Sequence, residues 1–303
     1  MTAYQYLFVN LYAMAKILIT GAGGQLGQCL LDGALLRPKQ QVLGYDLDHL
    51  DIADREAVYF LAKESGASVL INGAAYTSVD QAEEEPAQAW AVNANAVQGL
   101  AEVCDRLGIL LVHISTDYVF DGASSIPYTE EDVPHPLSVY GASKLAGEGF
   151  AFACKKSVVV RTSWLYSHSG HNFISSILRL GAERDEIRVV HDQVSAPTFA
   201  PHLAAALFRM IEQMEREEWS LERMGLYHFC NSGYCSRYTF AQKIKEWSRF
   251  KALVLPIASS EFEALAQRPA CSVLDTQKIR TSFGVNPPSW EEGLKDYFTL
   301  KKI

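Results

Sequence analysis

A tyrosine and a lysine near the middle of the chain have the types and spacing needed for proton transfer. Tyr140 and Lys144 lie in the stretch 139–148, and if this stretch opens a helix, their side chains stand one turn apart on one face. A free phenol has a pKa of about 10, and a neighbouring ammonium lowers that pKa by favouring the phenolate. The pair therefore predicts an acid/base function, although a chance pair on an amphipathic helix is the commoner explanation of this spacing alone.

A glycine-rich turn precedes the pair and has the pattern of a cofactor site. The apolar run 16–20 leads into Gly21, Gly24 and Gly27, and a segment of helical spacing follows. Such glycines permit a tight turn, close approach of the backbone to a pyrophosphate, and close packing of helix on strand. The spacing is Gly-x-x-Gly-x-x-Gly, and a flexible loop is the alternative. The flanking strand and helix patterns favour a dinucleotide site.

Two carboxylates follow the next apolar run. The run 42–45 ends at Asp46, about twenty residues beyond the glycines, where an acidic side chain can accept hydrogen bonds from the adenosine ribose. Asp51 follows on the next segment, near the expected adenine, and either residue could instead be a solvated loop carboxylate. The strand-like stretch 68–75 then ends in small residues, Ala74 among them, that would let the cofactor approach the backbone.

Two hydroxyl side chains lie where a sheet would present them to a ligand. The continuous apolar run 109–114 is typical of a parallel strand covered on both faces, and Ser115 and Thr116 follow it directly. Ligands bind at the carboxyl ends of the strands in open α/β sheets, so these hydroxyls could hydrogen-bond a substrate oxygen. The alternative is that they satisfy turn backbone.

The chain alternates strands and helices strictly at first and less regularly later. The predicted fold class is α/β, a Rossmann-type doubly wound parallel sheet with a smaller C-terminal α/β substrate lobe. We expect residues 14–165 plus about 187–219 to form the dinucleotide-binding domain, and about 166–186 plus 220–303 to form the lobe. Residues 1–13 are expected to be an extension, too short to span a bilayer and lacking the basic residues of a secretory signal. The predicted later helices cover 86–107, 172–184, 201–217 and 238–250.

Composition excludes several classes of partner. The chain has 303 residues, is 49% hydrophobic and carries a formal net charge of -8, so it can bury a large core but offers no basic surface for nucleic acid or an anionic membrane. Its six cysteines are widely spaced, without the paired cysteines or histidines of a metal site. Buried free thiols in a reducing cytosol explain them best. We therefore expect a cytoplasmic protein with no nucleic-acid or membrane partner and no metal site.

The glycine turn, the hydroxyl-bearing strand end and the Tyr140/Lys144 pair together resemble the extended short-chain dehydrogenase/reductases. Within that superfamily the chain closely resembles the dTDP-4-dehydrorhamnose reductase family, from residue 16 to about residue 298. The combination is more specific than any one of its parts. The stretches that carry the closer resemblance are 115–122, 140–148, 161–164, 192–198 and 268–275.

The resemblance assigns roles to individual residues. It implies that Tyr140 is the proton donor, that Lys144 is its electrostatic partner and a ribose ligand, and that Thr116 steadies the substrate oxygen. It also implies that Asp117 and Trp164 contact the nucleotide-sugar. Hydride addition to a ketone leaves negative charge on its oxygen, which a phenol can protonate. The implied cofactor contacts, beside Gly21 and Gly27, are Gly24, Gln25, Leu26, Asp46, Asp51, Ile52, Ala74, Ala75 and Tyr76.

The implied reaction is reduction of the 4-keto group of a dTDP-sugar, dTDP-6-deoxy-L-lyxo-4-hexulose, to dTDP-L-rhamnose for cell-surface polysaccharide. NADPH and NADH are both compatible cofactors, and Asp46 favours NADH because a carboxylate repels a 2′-phosphate. Three alternatives share the motifs: a sugar-nucleotide epimerase or dehydratase, a non-catalytic subunit like the regulatory subunit of methionine adenosyltransferase, and a reductase of another deoxysugar nucleotide. The stretches 161–164 and 192–193 favour the reductase.

Magnesium enters only through the resemblance. Some members of the family form a homodimer bridged through magnesium by glutamates, two of which correspond to Cys29 and Pro201 in this sequence. Neither side chain offers the hard oxygen ligand that magnesium prefers. We therefore expect the bridging site to be absent, and a monomer or a homodimer that assembles without magnesium.

Overall fold

Six parallel strands form the central sheet of the computed structural model, which describes residues 15–37 and 40–300. The expected extension 1–13 lies outside the described residues. The strands, in chain order, are β1 (Lys16–Thr20), β2 (Gln41–Tyr45), β3 (Val69–Asn72), β4 (Leu110–Thr116), β5 (Ser157–Thr162), β6 (Leu165–Tyr166), β7 (Glu186–Val190), β8 (Val194–Ser195), β9 (Thr198–Phe199), β10 (Gly225–His228), β11 (Cys235–Ser236) and β12 (Leu253–Ile257). The central sheet has the order β2-β1-β3-β4-β5-β10.

The strand order reverses at β1, which confirms the predicted doubly wound sheet. β1 pairs in parallel with β2 on one side and with β3 on the other, so Ile19 lies beside both Gly44 and Ile71. In such sheets the crevice at the reversal is where ligands bind. The glycine turn follows β1 directly and therefore begins at this crevice.

Helices cover both faces of the sheet. The α-helices are α1 (Gln25–Leu35), α2 (Arg55–Ser65), α3 (Val79–Glu84), α4 (Pro86–Trp90), α5 (Ala96–Leu107), α6 (Val139–Ala151), α7 (Phe173–Glu183), α8 (Ala200–Arg216), α9 (Arg237–Ser248), α10 (Gln277–Phe283) and α11 (Trp290–Leu300). Ile17 and Ile19 share a core with α1, α8 and α10, whereas Leu18 shares the opposite core with α2 and α5. Burial on both faces explains why these strands are continuous apolar runs in the sequence.

The smaller group of elements has a core of its own. α7, α9 and α11 enclose buried side chains that include Ile177, Phe240 and Leu294. β7 and β12 pair in parallel and add Ile187 and Val189 to this core. Two further short pairs, β6 with β9 and β8 with β11, lie in the same part of the chain. We call this group the lobe.

The expected domain division is corrected in two places. β10 falls within the stretch 220–303 assigned to the lobe, yet it pairs with β5 as an edge of the central sheet, and its Tyr227 packs in the sheet's core. β7 falls within 187–219, assigned to the dinucleotide-binding domain, yet it pairs with β12 in the lobe. Both strands are short, and a short strand sequence does not specify which partner strand it will pair with.

The predicted helix 86–107 forms, but with a change of winding inside it. α4 continues into one stretch of π-helix, Ala91–Asn95, and then into α5. π-Helical turns inside α-helices are often found at functional sites, and Asn93 is buried in this one. Among the described residues, no helix combines the length and the apolar character needed to cross a membrane.

Candidate active site

A cleft of about 550 Å³ opens at the carboxyl ends of β1, β3, β4 and β5, and the lobe contributes its other side. The sheet wall is the glycine turn 21–27 together with Thr116, Tyr140 and Lys144. The lobe wall is Trp164, Phe173, Arg237 and Phe240. The structure thus brings the predicted glycine turn and the predicted acid/base pair to one cavity.

Most of the predicted site residues line this cleft, and the others lie behind it or elsewhere. Those lining the cleft are Gly21, Gly24, Gln25, Leu26, Gly27, Ala75, Thr116, Asp117, Tyr140, Lys144 and Trp164. Those that do not line it are Asp46, Asp51, Ile52, Ala74 and Tyr76.

The three glycines of the turn differ in what an added Cβ would meet. Gly21 has a φ of 68°, and a Cβ there would lie 2.6 Å from the backbone nitrogen of Ala74. A Cβ on Gly27 would overlap the carbonyl oxygen of Gly21, so the third glycine lets α1 pack closely on the turn. Gly24 caps the start of α1 with an ordinary φ of -72°. The turn therefore presents bare backbone and the N-terminus of α1 to the cleft, an arrangement suited to phosphate oxygens.

Gln25 links the glycine turn to the lobe. Its side-chain oxygen accepts hydrogen bonds from the Asn172 amide at 3.0 Å and from the Ser167 hydroxyl at 3.4 Å. Asn172 caps α7, where its own oxygen accepts from the backbone N–H of Ser175. Gly170 lies against the Gln25 side chain. The loop 167–172 is therefore held over the turn.

The two predicted ribose and adenine carboxylates differ in position. Asp46 is exposed at the end of β2, and a Cβ on Gly23 would overlap its Oδ2, so the carboxylate lies against the glycine turn. Asp51 Oδ1 accepts from the backbone N–H of Ala53 at 2.9 Å, and Ile52 is buried in the core beneath α2. The contacts of these residues to a cofactor stay predictions.

Asn93 holds the segment after β3 against the helix that carries Tyr140. Its side-chain oxygen accepts from the Tyr76 backbone N–H at 2.8 Å, and its amide donates to the Tyr76 carbonyl and to the Ser143 hydroxyl, both at 3.0 Å. The Ser143 hydroxyl in turn donates to the carbonyl oxygen of Tyr140 at 2.9 Å. A Cβ on Gly147 would overlap the Asn93 carbonyl, so close packing of α6 also depends on this glycine.

Tyr140 and Lys144 lie in the first two turns of α6, as predicted. The helix begins after Ser138, whose hydroxyl accepts from the backbone N–H of Gly141. Lys144 Nζ donates to the carbonyl oxygen of Ile114 at 2.7 Å. This bond ties the ammonium to the end of β4, next to the cleft.

The expected lowering of the Tyr140 pKa is wrong. Burial raises the pKa of Tyr140 above its ordinary value, and the hydrogen bond with the Thr116 hydroxyl opposes that rise only in part. Burial lowers the pKa of Lys144 to about 8, against the favourable charge of Glu148. Desolvation favours the neutral form of both groups, so the pair is a neutral phenol beside an easily deprotonated amine.

A buried ion pair fixes α6 on the sheet. Arg161 binds Glu148 through two hydrogen bonds of 2.8 and 2.7 Å, with both side chains about 3% exposed. Ser115 donates to the same carboxylate at 2.5 Å. The Ser115 hydroxyl is therefore bound to Glu148, which lies one helical turn after Lys144 on α6. Thr116 caps the following turn by accepting from the Tyr118 N–H at 3.2 Å.

Asp117 connects three segments beneath the cleft. Its carboxylate accepts from the hydroxyls of Ser272 at 2.5 Å, Thr116 at 3.2 Å and Ser195 at 3.3 Å. Only 2% of the residue is exposed, and burial raises its pKa to about 6. The implied substrate contact of Asp117 stays a prediction, while its hydrogen bonds show how Thr116 is held.

Trp164 and Arg237 form the part of the lobe wall that the sequence did not reveal as a unit. The Arg237 guanidinium lies over the Trp164 ring, 4.2 Å from its centroid. Trp164 is also one of the few non-glycine residues with a positive φ, at 41°. Asn93 and Arg237 were both missed, because neither belongs to a short motif and each acts through distant segments.

The family model described as RmlD substrate binding domain matches residues 15–302. A dTDP-4-dehydrorhamnose reductase from Aggregatibacter actinomycetemcomitans is 41% identical over 293 residues, covering 93% of this chain and 98% of that protein. The chain belongs to the dTDP-4-dehydrorhamnose reductase family.

Solved structures agree with this family assignment. The dTDP-4-dehydrorhamnose reductase from Bacillus anthracis str. Ames, in complex with NADP, has a TM-score of 0.89 at 39% identity, covering 95% of this chain and 99% of that one. A UDP-glucose 4-epimerase from Thermus thermophilus, in complex with NAD, has a TM-score of 0.76 at 21% identity, covering 94% of this chain and 98% of that one. The epimerase likeness shows the fold alone, whereas the reductase likeness extends to the sequence.

The two positions that the resemblance relates to magnesium-bridging glutamates are Cys29 and Pro201 in this member of the dTDP-4-dehydrorhamnose reductase family. Burial raises the pKa of the Cys29 thiol to about 12, and metals bind the thiolate rather than the thiol. Within residues 15–37 and 40–300, no three side chains of His, Cys, Asp or Glu form a group that could hold a metal ion.

Proposed function

We propose that the protein reduces the 4-keto group of dTDP-6-deoxy-L-lyxo-4-hexulose (dTDP-4-dehydro-L-rhamnose) with NADPH or NADH. The product is dTDP-L-rhamnose, which supplies rhamnose-containing cell-surface polysaccharide. The observation that carries this proposal is that the glycine turn and the Thr116, Tyr140 and Lys144 side chains line one cavity. Membership of the family supports the choice of reaction and substrate.

The sheet wall fits a dinucleotide. The absence of a Cβ at Gly21 and Gly24 exposes backbone beside the N-terminus of α1, where pyrophosphate oxygens are favoured. Asp46 lies against this turn and could accept from a ribose hydroxyl. A nicotinamide cofactor bound here would supply the hydride to the keto carbon.

Tyr140 is the proposed proton donor to the keto oxygen. As the carbon gains the hydride, the carbonyl electron pair moves to the oxygen, which takes the phenolic proton. The raised pKa of Tyr140 keeps the phenol protonated until that charge develops. The Thr116 hydroxyl lies beside the phenol and is placed to stabilise the same oxygen.

Lys144 has a supporting role in the proposed reaction. Its pKa of about 8 leaves most of the amine charged near neutral pH. That charge stabilises the phenolate that Tyr140 becomes after giving up its proton. The hydrogen bond from Lys144 to the Ile114 carbonyl holds the ammonium at the edge of the sheet wall.

We infer that the sheet domain holds the cofactor and the lobe holds the sugar nucleotide. The two cores are separate and the cleft lies where they meet, which supports that division. All six cysteines are free thiols, which supports a cytoplasmic site of reaction. The assembly we propose is a monomer or a homodimer independent of magnesium.

The proposed function is tested by a substrate panel. Loss of nicotinamide absorbance is followed with several dTDP-4-keto-6-deoxysugars, and each product is identified by NMR. We expect one equivalent of NADPH or NADH to be consumed per dTDP-L-rhamnose formed. Interconversion of sugars without net cofactor consumption would instead make the protein an epimerase, and no turnover with any sugar would remove the proposal.

A further inference from the structure

Arg237 is a cation in the cleft that has no role in the proposed hydride and proton transfers. It is the first residue of α9 and lines the cleft from the lobe side. The other lysine or arginine in the lining is Lys144, whose Nζ donates to the Ile114 carbonyl. Asp117 is the carboxylate of the lining, and it is held by three hydroxyls.

The guanidinium is held in place by rings and an amide, not by a carboxylate. It lies 4.2 Å from the ring centroid of Trp164 and 5.4 Å from that of Phe173. Its Nε donates to the Gln193 side-chain oxygen at 3.2 Å. Among the described residues, no Asp or Glu forms an ion pair with Arg237, and its two terminal nitrogens have no hydrogen-bond partner.

The backbone of Trp164 is held in an unusual conformation that keeps its ring in this position. A φ of 41° is rare for a bulky residue. The carbonyl oxygen of Trp164 accepts from the Thr198 N–H at 3.1 Å, and the neighbouring Ser163 hydroxyl donates to the Ala196 carbonyl at 2.7 Å. Such conformations persist where the surrounding structure enforces them and they concentrate at ligand sites.

We propose that Arg237 binds the diphosphate of the sugar nucleotide, with the Trp164 ring holding its guanidinium in position. A guanidinium fork matches phosphate oxygens, and stacking orders it before the ligand arrives. The glycine turn already provides a pyrophosphate site for the cofactor, so the lobe-side cation serves the second diphosphate of the reaction. The inference rests on the proposed function because that function brings two diphosphates into one cleft.

Binding measurements on the full chain separate this inference from the proposed reaction. We would titrate wild type, Arg237→Met and Arg237→Lys with dTDP, inorganic pyrophosphate, thymidine and NADPH by calorimetry. Arg179→Met is the matched control, since Arg179 pairs with Glu183 on the exposed face of α7. Circular dichroism and thermal unfolding establish that each variant is folded.

We expect Arg237→Met to weaken dTDP binding by about 10- to 100-fold, the range for loss of hydrogen bonds to a charged group. Thymidine and NADPH affinities should change by less than about twofold, and Arg179→Met should match wild type. Arg237→Lys should recover only part of the dTDP affinity, because an ammonium cannot form the planar fork. In turnover, the KM for the sugar nucleotide should rise more than kcat falls.

Three results would overturn the inference. Equal losses of thymidine and dTDP affinity would mean that Arg237 only maintains the shape of the cleft. A loss confined to NADPH would assign the arginine to the cofactor, and unchanged dTDP affinity would leave it without a ligand. Because dTDP binding is measured without turnover, a failure of the proposed reaction in the substrate panel would not be confused with any of these results.

Discussion

The two walls of the cleft are built from different parts of the chain. At the cofactor end, the sheet wall presents backbone, and a Cβ at Gly21 would overlap the main chain of Ala74. The lobe wall presents side chains, with the Trp164 ring beneath the guanidinium of Arg237. Ligand binding to the backbone wall should be lost when one carbon is added, whereas binding to the side-chain wall should be lost when a charge or a ring is removed. We therefore expect substitutions in the two walls to change the affinities of different ligands.

Removing the phenolic hydroxyl gives the largest expected effect and tests whether proton transfer belongs to the sheet wall. Tyr140→Phe should lower kcat by about 10²–10⁴-fold, because a general acid typically contributes that much. NADPH affinity should stay near wild type, since only the transferable proton is lost. Stopped-flow turnover and a cofactor titration measure the two quantities. A variant with wild-type kcat would remove Tyr140 from the chemistry.

Adding one carbon to the glycine turn should affect cofactor binding and stability together. Alanine at Gly21 would adopt a φ of 68° and meet the Ala74 backbone, and the left-handed conformation alone costs about 1–2 kcal/mol. Gly24→Ala is the matched control for stability, because its φ is -72° and its Cβ would meet only the Gly21 carbonyl, at 3.2 Å. Urea unfolding and NADPH titration report both effects.

The two glycine variants also sharpen the comparison between the walls. If the sheet wall acts through bare backbone, Gly24→Ala should lower the free energy of unfolding less than Gly21→Ala does. It should still lose NADPH affinity, since its Cβ would stand where the pyrophosphate approaches. Both variants should keep wild-type affinity for dTDP. Full NADPH affinity in Gly21→Ala would show that the turn does not depend on bare backbone.

The sheet wall was predictable from the sequence to the extent that its residues are close together in the chain. The glycine turn, the Ser115–Thr116 strand end and the Tyr140/Lys144 spacing are all local patterns. Asn93 and Arg237 act through contacts with distant segments, and no local spacing marks them. The direction of the Tyr140 pKa was also missed, because helix spacing reports the nearby charge but not the burial that outweighs it.

At the level of the fold, too, local patterns were predictable and contacts between distant segments were not. The helices α7 and α8 begin and end within one residue of the predicted ranges 172–184 and 201–217, since periodic apolar spacing defines both and an Asn cap begins α7. β7 and β10 fall in the stretches 187–219 and 220–303, which the sequence assigns to the wrong domain. A strand of four or five residues carries little information about which sheet it will join.

Raising the pH should remove the charge of Lys144 from the sheet wall without destabilising the fold, so turnover and the free energy of unfolding should change in opposite directions. With a folded pKa of about 8, the ammonium is lost above that pH, and turnover should fall up to about tenfold per pH unit. The unfolded chain keeps this proton up to about pH 10.5, so between pH 8 and 10.5 it binds more protons than the folded chain. The contribution of Lys144 to the free energy of unfolding therefore rises over the same range.

The pH profile is read against two variants. The alkaline loss of turnover should disappear in Lys144→Met, and it should also be absent from the residual activity of Tyr140→Phe, because the ammonium acts by stabilising the phenolate. The rise in the free energy of unfolding above pH 8 should also be smaller in Lys144→Met than in wild type. An alkaline limb that persists in Lys144→Met would mean that the phenol titrates instead, against the raised pKa that burial gives it.

Cofactor choice should respond modestly to the carboxylate beside the glycine turn. Asp46 lies against Gly23, where its charge opposes a 2′-phosphate. Asp46→Ala should raise the ratio of kcat/KM with NADPH to kcat/KM with NADH by a few-fold, about 1 kcal/mol or less of differential binding. Asp51→Ala is the comparison variant: its carboxylate is expected near the adenine and accepts from the Ala53 N–H, so its loss should leave the ratio unchanged. An unchanged ratio in Asp46→Ala would mean that Asp46 points away from the ribose.

Chelation should have the smallest effect, because the proposed hydride and proton transfers need no metal in either wall of the cleft. The two positions that correspond to bridging glutamates are a protonated thiol at Cys29 and a side chain without a donor atom at Pro201. Magnesium prefers hard oxygen ligands in octahedral geometry, so these positions cannot hold it. We expect kcat and the sedimentation coefficient to be the same with magnesium and with EDTA. A dimer that dissociates in EDTA, loses turnover and regains both with added magnesium would show that other carboxylates rebuild the bridge and that the two walls are not independent of assembly.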